Sequence, residues 1–342
     1  MLVDLSNNGA FINETIIGRN NTRQLQEHDE IAILDRARFI FRYPQTHMAR
    51  STMFGQQYPL LKQSTAFLQQ YTLLERLEKS SWCEVYLCVE KASGQRYAVK
   101  IFFYPPSNTT REKLQPILAI PMGVSHPKLL CLKDVFEDHA PDGGRQDTIF
   151  MVLELASDGE LFNYIVAKEK LTEDENRVVF IQVCEAVKYL HDRNIVHGDI
   201  KSENIFMTDE DVDVKVADFG LNTFIQILKD SEDNSTRSEA TAMGHKMGDI
   251  WSLGVVLCIC LCGFPPFSDE LYPEAFPYTM VEQIKMGQFD YPSPHWDAVG
   301  IPARDLIDSM LVANPHKRFT IDQCLHHPWV TQQPLGKQNR VR

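Results

Sequence analysis

Apolar and polar positions change their spacing twice along this chain. Residues 1–43 carry short alternating bursts, "AFINETIIG", "DEIAIL" and "RFIFRY", separated by "GRNNTRQLQEH", which predicts short strands joined by turns. Residues 44–70 are mixed and turn-rich and predict a linker. From Tyr71 longer strand patterns follow, "TLLERLEK", "CEVYLCVE", "RYAVKIFFY", "LLCLKDVFED" and "TIFMVLEL", which together predict a meander. After Gly159 the apolar residues recur at helical spacing in "ELFNYIVAKEKL", "EDENRVVFIQVCEAVKYLHDRN", "MGDIWSLGVVLCICLCG", "PARDLIDSMLV" and "TIDQCLHHPWV". A small β-rich unit before a larger helical one is an α+β organisation with a cleft between its parts.

Composition narrows the range of functions. The 342 residues are 44% hydrophobic, enough for a sizeable core, and the formal net charge is −12. That charge argues against sequence-independent nucleic-acid binding, which needs a basic surface, and it tolerates basic substrates. The apolar run "IWSLGVVLCICLCGF" is about fifteen residues long, short of the ~20 that cross a bilayer, so it predicts a buried core helix and no membrane partner. "MLVDLSNNGAF" shows no signal-peptide pattern. None of the eight cysteines forms a CxxC pair, and Cys258, Cys260 and Cys262 alternate inside the apolar run, which predicts reduced thiols in a reducing compartment.

Three clusters carry chemistry. Lys100 ends a strand, and the small Ala98 before it leaves room for a flat ring beside the lysine stem. "VHGDIKSENIF", residues 196–206, sets Asp199, Lys201 and Asn204 at spacings that present a base, a cation and a metal-ligating amide together. "VADFG" places Asp218 at a hairpin end and Gly220 in the turn after it. "DEDVD", residues 209–213, starts like a calcium loop but lacks the glycine, and reads as an acidic hairpin turn.

In this order, Ala-Val-Lys, His-x-Asp-x-Lys-x-x-Asn and Asp-Phe-Gly resemble the protein kinase signature set. The resemblance spans residues 71–330. With "ELFNYI", "DIWSLG", "GFPPF" and "HPW" it is similar to the calcium/calmodulin-dependent group of serine/threonine kinases. It implies a bilobal kinase fold, with an N-lobe over 71–155, a C-lobe over 156–330 and a tail over 331–342. The implied activity is ATP-dependent phosphorylation of serine or threonine in proteins, with Mg²⁺ as cofactor. Asp199 would then act on the substrate hydroxyl, Lys201 on the transferring phosphoryl group, Asn204 and Asp218 on Mg²⁺, and Lys100 on the phosphates. Leu77, Val85, Ala98 and Phe206 would enclose adenine beside the backbone of Glu154 and Ala156, with Leu153 at the gatekeeper position. Glu160 and Glu203 match acidic positions that meet a substrate arginine. "DLSNNGAFIN", "IIGRNNTRQLQEHDEIAIL" and "FIF" resemble the back half of a forkhead-associated (FHA) domain, so residues 1–43 read as a partial FHA-like β fragment. FHA followed by kinase is similar to the DNA-damage checkpoint kinases and implies a nuclear or cytoplasmic location. Without the front half and its phosphate-binding residues, phosphopeptide binding by the fragment is not expected.

The chain departs from the family pattern at four places. The glycines of the phosphate loop fall on Glu78, Ser80 and Cys83 in "LEKSSWCEV", where side chains and the carboxylates of Glu78 and Glu84 would repel phosphate. The acid that should pair with Lys100 falls on Ile117, with Glu112 further upstream and Pro116 and Pro121 nearby. Gly198 replaces the arginine that reads an activation-segment phosphate. Between Asp218 and Asp249 there is no Ala-Pro-Glu, which leaves Arg318 without its usual mate. These departures support an alternative, a pseudokinase or truncated kinase that acts as a binding module with weak or no nucleotide binding.

Overall fold

The structure is a computed structural model that describes residues 65–80, 83–104, 114, 118, 121–138, 147–156, 158–208, 212–221, 239–269 and 278–332, with the backbone of six short strands between residues 2 and 40. It divides into two units, Met1–Pro59 and Leu60–Arg342. In the first, β2 (Ala10–Ile12), β3 (Thr15–Ile16), β5 (Glu30–Ile33) and β6 (Ala37–Ile40) form an antiparallel sheet in the order β3-β2-β5-β6, and β1 (Leu2–Val3) pairs with β4 (Thr22–Arg23). The strand bursts predicted there lie on these segments.

The second unit opens with helix α1 (Thr65–Gln70), followed by β7 (Tyr71–Lys79), β8 (Cys83–Glu90), β9 (Arg96–Tyr104), β10 (Leu132–Asp138) and β11 (Asp147–Glu154). All pairs are antiparallel, but the order is β10-β11-β9-β8-β7, so the sheet is not the simple meander expected. Composition explains the swap. β11, "DTIFMVLE", is buried along most of its length and suits the interior. β10, "LKDVFED", carries four charged residues, is only part-buried, and suits the edge.

Helix α1 belongs to this sheet although the sequence places it in the linker. Phe67 is fully buried, stacks on Phe150 with centroids 4.7 Å apart and on Tyr71 at 5.4 Å, and meets the edge of Phe136. The Tyr71 hydroxyl donates to Asp134 on the edge strand.

The helical half follows as α2 (Leu161–Lys168), α3 (Glu173–Asp192), the hairpin β12 (Ile205–Met207) and β13 (Val214–Val216), α4 (Glu239–Cys262), α5 (Met280–Met286), α6 (Ile301–Met310), α7 (Ile321–Leu325) and α8 (Pro328–Thr331). Thr172 and Glu175 form a capping box that starts α3. Glu173 then ties the far end of the lobe to this helix, accepting from Trp329 Nε1 at 2.8 Å and from the Gly300 N–H at 3.0 Å. α4 is the core helix: its apolar stretch Gly244–Cys262 is long enough for a bilayer, yet 61% of the apolar window is buried inside the protein. Its cysteines pack there as buried thiols, as the alternating pattern predicts.

Phe67→Ala removes the ring that joins α1 to three other aromatics. The expected cost is about 3–5 kcal/mol of stability, read as a lower midpoint in urea unfolding of the full chain.

Candidate active site

Strand register decides which side chains face the cleft. Opposed residues of an antiparallel pair share a face. Val85 opposes Lys100, Leu87 opposes Ala98, and across the next pair Lys100 opposes Met151 and Ala98 opposes Leu153. Val85, Ala98, Lys100 and Leu153 therefore line one face, as the sequence reading requires. Leu77 occupies the bulge between the Arg76–Tyr86 and Glu78–Val85 pairs and is 50% exposed at the rim.

Glu84 lies on the opposite face, which corrects its assignment as a phosphate-repelling charge. It accepts from the Tyr86 hydroxyl at 2.7 Å, and its other oxygen sits 3.1 Å from Lys79 Nζ and 3.8 Å from Arg76. Burial alone would raise its pKa, but these partners outweigh burial and hold the carboxyl below its ordinary value. Glu78, opposite Val85, stays on the cleft face. The turn after it closes on itself. The Ser80 N–H donates to Cys83 O at 2.9 Å, and the Cys83 N–H donates to Ser80 Oγ at 3.0 Å. Both amides are thereby engaged inside the turn. Burial pushes the Cys83 thiol up, against the pull of Ser80 and of nearby Lys100. The side chain packs on the cluster of Phe102, Leu114, Leu118 and Met151.

The catalytic-loop residues come together as the spacing implies. Lys201 Nζ lies 3.0 Å from Asp199 Oδ2, and Asn204 Nδ2 donates to the same oxygen at 2.8 Å and to the Asp199 carbonyl at 2.7 Å. Burial alone would lower Lys201, but the bond to Asp199 and the fields of Asp199, Glu203 and Asp218 hold it above its ordinary value. Beneath the loop, buried Asp249 accepts from the His197 N–H at 2.9 Å, the Gly198 N–H at 2.8 Å and His191 Nε2 at 2.8 Å. Gly198 has φ 79°, a conformation that a glycine adopts without strain, so more than a lost arginine distinguishes this position.

Asp218 joins the two halves. Lys100 Nζ donates to both of its oxygens at 2.6 Å, with the two side chains 15% and 19% exposed. Asp218 sits at φ 65°, Phe219 is buried behind it, and Gly220 follows at φ 74°. The Gly220 N–H donates to His197 O at 3.0 Å and the Ala217 N–H to Asn204 O at 2.8 Å, which fixes this turn on the catalytic loop. Glu112, Pro116 and Ile117 lie outside the described residues; among those described, the carboxylate on Lys100 is that of Asp218.

At the other end of the cleft, Glu154 closes β11 opposite Tyr97, and Ala156 lies beyond the last sheet pair. Phe206 pairs in a bridge with Glu160. Burial first, then the carboxylates of Glu78 and Glu203, raise Glu160 above the ordinary carboxylate range, against Lys201. Arg318 is not left bare. It donates to the carbonyls of Val312 at 2.9 Å, Ala313 at 3.3 Å and Met247, and lies over the Trp251 ring. Two residues escaped the sequence reading as members of the site. One is Asp249, whose signal is an acid immediately before the apolar run "IWSLGVVLCICLC" within α4. The other is Lys215, whose Nζ donates to Glu154 Oε2 at 2.6 Å and whose signal is the alternation "VKV" that turns it away from the core.

The protein kinase domain family matches residues 71–330. The chain belongs to the protein kinase family. It is 34% identical over 346 residues to the probable serine/threonine-protein kinase fhkC of Dictyostelium discoideum, covering 96% of this chain and 54% of that protein. It is 38% identical over 266 residues to the DNA damage response protein kinase DUN1 of Saccharomyces cerevisiae, covering 70% of this chain and 51% of the relative. The chain thus spans about half the length of these two relatives. A crystal structure of Rad53, residues 1–466, in complex with AMP-PNP matches with a TM-score of 0.63 and 27% identity, covering 96% of this chain and 81% of that one. The fold is that of a protein kinase, with a β-sheet N-lobe and a helical C-lobe.

Asp249→Asn keeps the shape but puts an amide N–H₂ against backbone donors. The expected loss is about 1–3 kcal/mol in urea unfolding, because a buried donor is left facing a donor. Gly198→Ala is expected to cost about 1–2 kcal/mol in the same measurement, from the positive φ.

Proposed function

We propose that this chain transfers the terminal phosphoryl group of ATP to serine or threonine side chains of proteins, in signalling of the checkpoint-kinase type. One observation carries the reading: Lys100, Asp199, Lys201, Asn204 and Asp218 are held in one connected constellation by the bonds between the catalytic loop and the turn at Asp218. The similarity to DUN1 and to the Rad53 complex with AMP-PNP supports ATP as the donor and the checkpoint setting. A nuclear location accords with that setting.

The residues fit a magnesium ion. Mg²⁺ is usually bound through one or two protein oxygens with phosphates and water completing its shell. Asp218 offers a carboxylate, and Asn204, whose side-chain bonds to Asp199 both use Nδ2, offers Oδ1. The ion would neutralise charge on the phosphoryl group. Asp199 would orient the substrate hydroxyl and accept its proton, and Lys201, held above its ordinary range, would stay charged beside it. Lys100 would pair with phosphate oxygens. Glu160 and Glu203 favour a basic residue near the target serine or threonine, in keeping with the acidic balance of the chain.

The turn at Ser80 and Cys83 favours a second reading, a binding module with weak nucleotide affinity, because two amides of the phosphate loop are satisfied internally. A thermal-shift titration with ATP and Mg²⁺ beside Asp218→Asn separates the two. A metal-dependent rise in melting temperature that Asp218→Asn abolishes supports the enzyme. No rise at millimolar ATP overturns it. Where ATP binds, Asp199→Asn is expected to lower peptide phosphorylation by about 10²–10⁴-fold.

The raised Glu160 gives a pH test. Preference for an arginine-bearing peptide over its alanine counterpart is expected to be full while the carboxyl is ionised. It should fade as pH falls through a value above the ordinary 4.5, read as the ratio of kcat/KM for the two peptides. Glu160→Gln should flatten that profile.

A further inference from the structure

We propose that Lys215 is a positioning residue of the nucleotide site, an inference that rests on the kinase reading. On β13, Val214 and Val216 are fully buried in the C-lobe core, so strand alternation turns Lys215 to the other side, where the register sets it opposite Phe206. Phe206 is the floor assigned to adenine. From there Lys215 Nζ donates to Glu154 Oε2 at 2.6 Å, with the two side chains 27% and 40% exposed. Glu154 ends the N-lobe strand β11 and supplies the backbone carbonyl assigned to the edge of the base. A single ammonium therefore ties the strand beneath the base to the segment beside it.

Two other ion pairs join the same stretch to the N-lobe: Lys128 with Asp213, and Lys100 with Asp218. The stretch thus reads negative, positive, negative at Asp213, Lys215 and Asp218, against positive, negative, positive at Lys128, Glu154 and Lys100. Backbone bonds run between them, Val216 N–H to Lys128 O and Leu130 N–H to Val216 O, both 2.9 Å. Phosphates and a cation compete for Lys100 and Asp218, so a bound nucleotide weakens that pair. Neither member of the Lys215–Glu154 pair is assigned to phosphate or cation. It is the side-chain contact that, beside the backbone bonds, ties the floor to the hinge, the segment of Glu154 to Ala156, when the nucleotide is bound.

The test uses the full chain and two ligands, Mg-ATP and adenosine. Lys215→Met is expected to weaken both by the same factor, about two- to fivefold as for a partly exposed ion pair, with KM for ATP rising more than kcat falls. Lys215→Arg should restore affinity, and so should the exchange of Lys215→Glu with Glu154→Lys. Lys100→Met should weaken ATP and spare adenosine, which separates the two ends of the site. Unchanged affinity of Lys215→Met for both ligands overturns the inference and leaves the kinase reading intact. So does a fall in melting temperature with no change in affinity. A parent chain that binds neither ligand overturns the kinase reading and this inference with it.

Discussion

Asp249 is only 2% exposed at the head of the apolar core of α4, and its two oxygens accept from the backbone of His197 and Gly198 and from the ring of His191. An ionised carboxylate in such a place is tolerated only when its hydrogen-bonding capacity is met. Here three donors meet it, and two of them belong to the loop that carries Asp199. The charge thereby becomes a device that fixes backbone. The loop cannot move without leaving a buried carboxylate short of partners. From this anchor the rest of the site is built outward: Asp199 holds Lys201 and Asn204, the Asn204 carbonyl holds Ala217, and the His197 carbonyl holds Gly220 on the far side of Asp218.

The Lys100–Asp218 pair is the last link of this chain of contacts and the first that crosses the cleft. Two unit charges about 4 Å apart attract by about 4 kcal/mol at the effective dielectric of a protein surface, and this pair is closer and partly shielded from water. A ligand that enters the cleft therefore meets a formed ion pair. To displace that pair it has to offer each member a replacement partner, which an anion and a cation together provide. A nucleotide with its magnesium ion has that composition; a nucleoside does not, and would bind with the pair intact.

Periodicity made most of the fold legible, because long segments such as "EDENRVVFIQVCEAVKYLHDRN" satisfy the helical spacing and a capping signal at once. It could not give the strand order. The exchange of β10 and β11 depends on which strand tolerates an edge, and that is a comparison between distant segments. The helix at Thr65–Gln70 is too short to show a period, and what attaches it to the sheet is the burial of Phe67 together with bonds from Lys91 to the carbonyls of Leu68 and Gln70. At the site, residue identity and spacing located Asp199, Lys201, Asn204 and Asp218, but not the direction in which Glu84 points. Alternation along β8 turns it away from the face of Val85, while the bulge at Leu77 on β7 sets Glu78 on that face, and a one-residue change of register reverses every side chain on a strand.

The missing glycines take their meaning from the same geometry. Repulsion by two carboxylates reduces to one, since Glu84 is neutralised on the far face by Lys79, Arg76 and Tyr86. What replaces it is a deficit of donors: the amides of Ser80 and Cys83 are committed to their own turn. A loop that gives little to the phosphates shifts the weight of nucleotide recognition to the opposite end of the cleft. On the proposed function, Phe206 as the adenine floor, the segment at Glu154 beside it and the Lys215–Glu154 pair between them are already assembled there. Affinity in such a site depends on how firmly floor and hinge are held together, and a side chain assigned no contact with the nucleotide, Lys215, adds an ion pair to the backbone bonds that hold them.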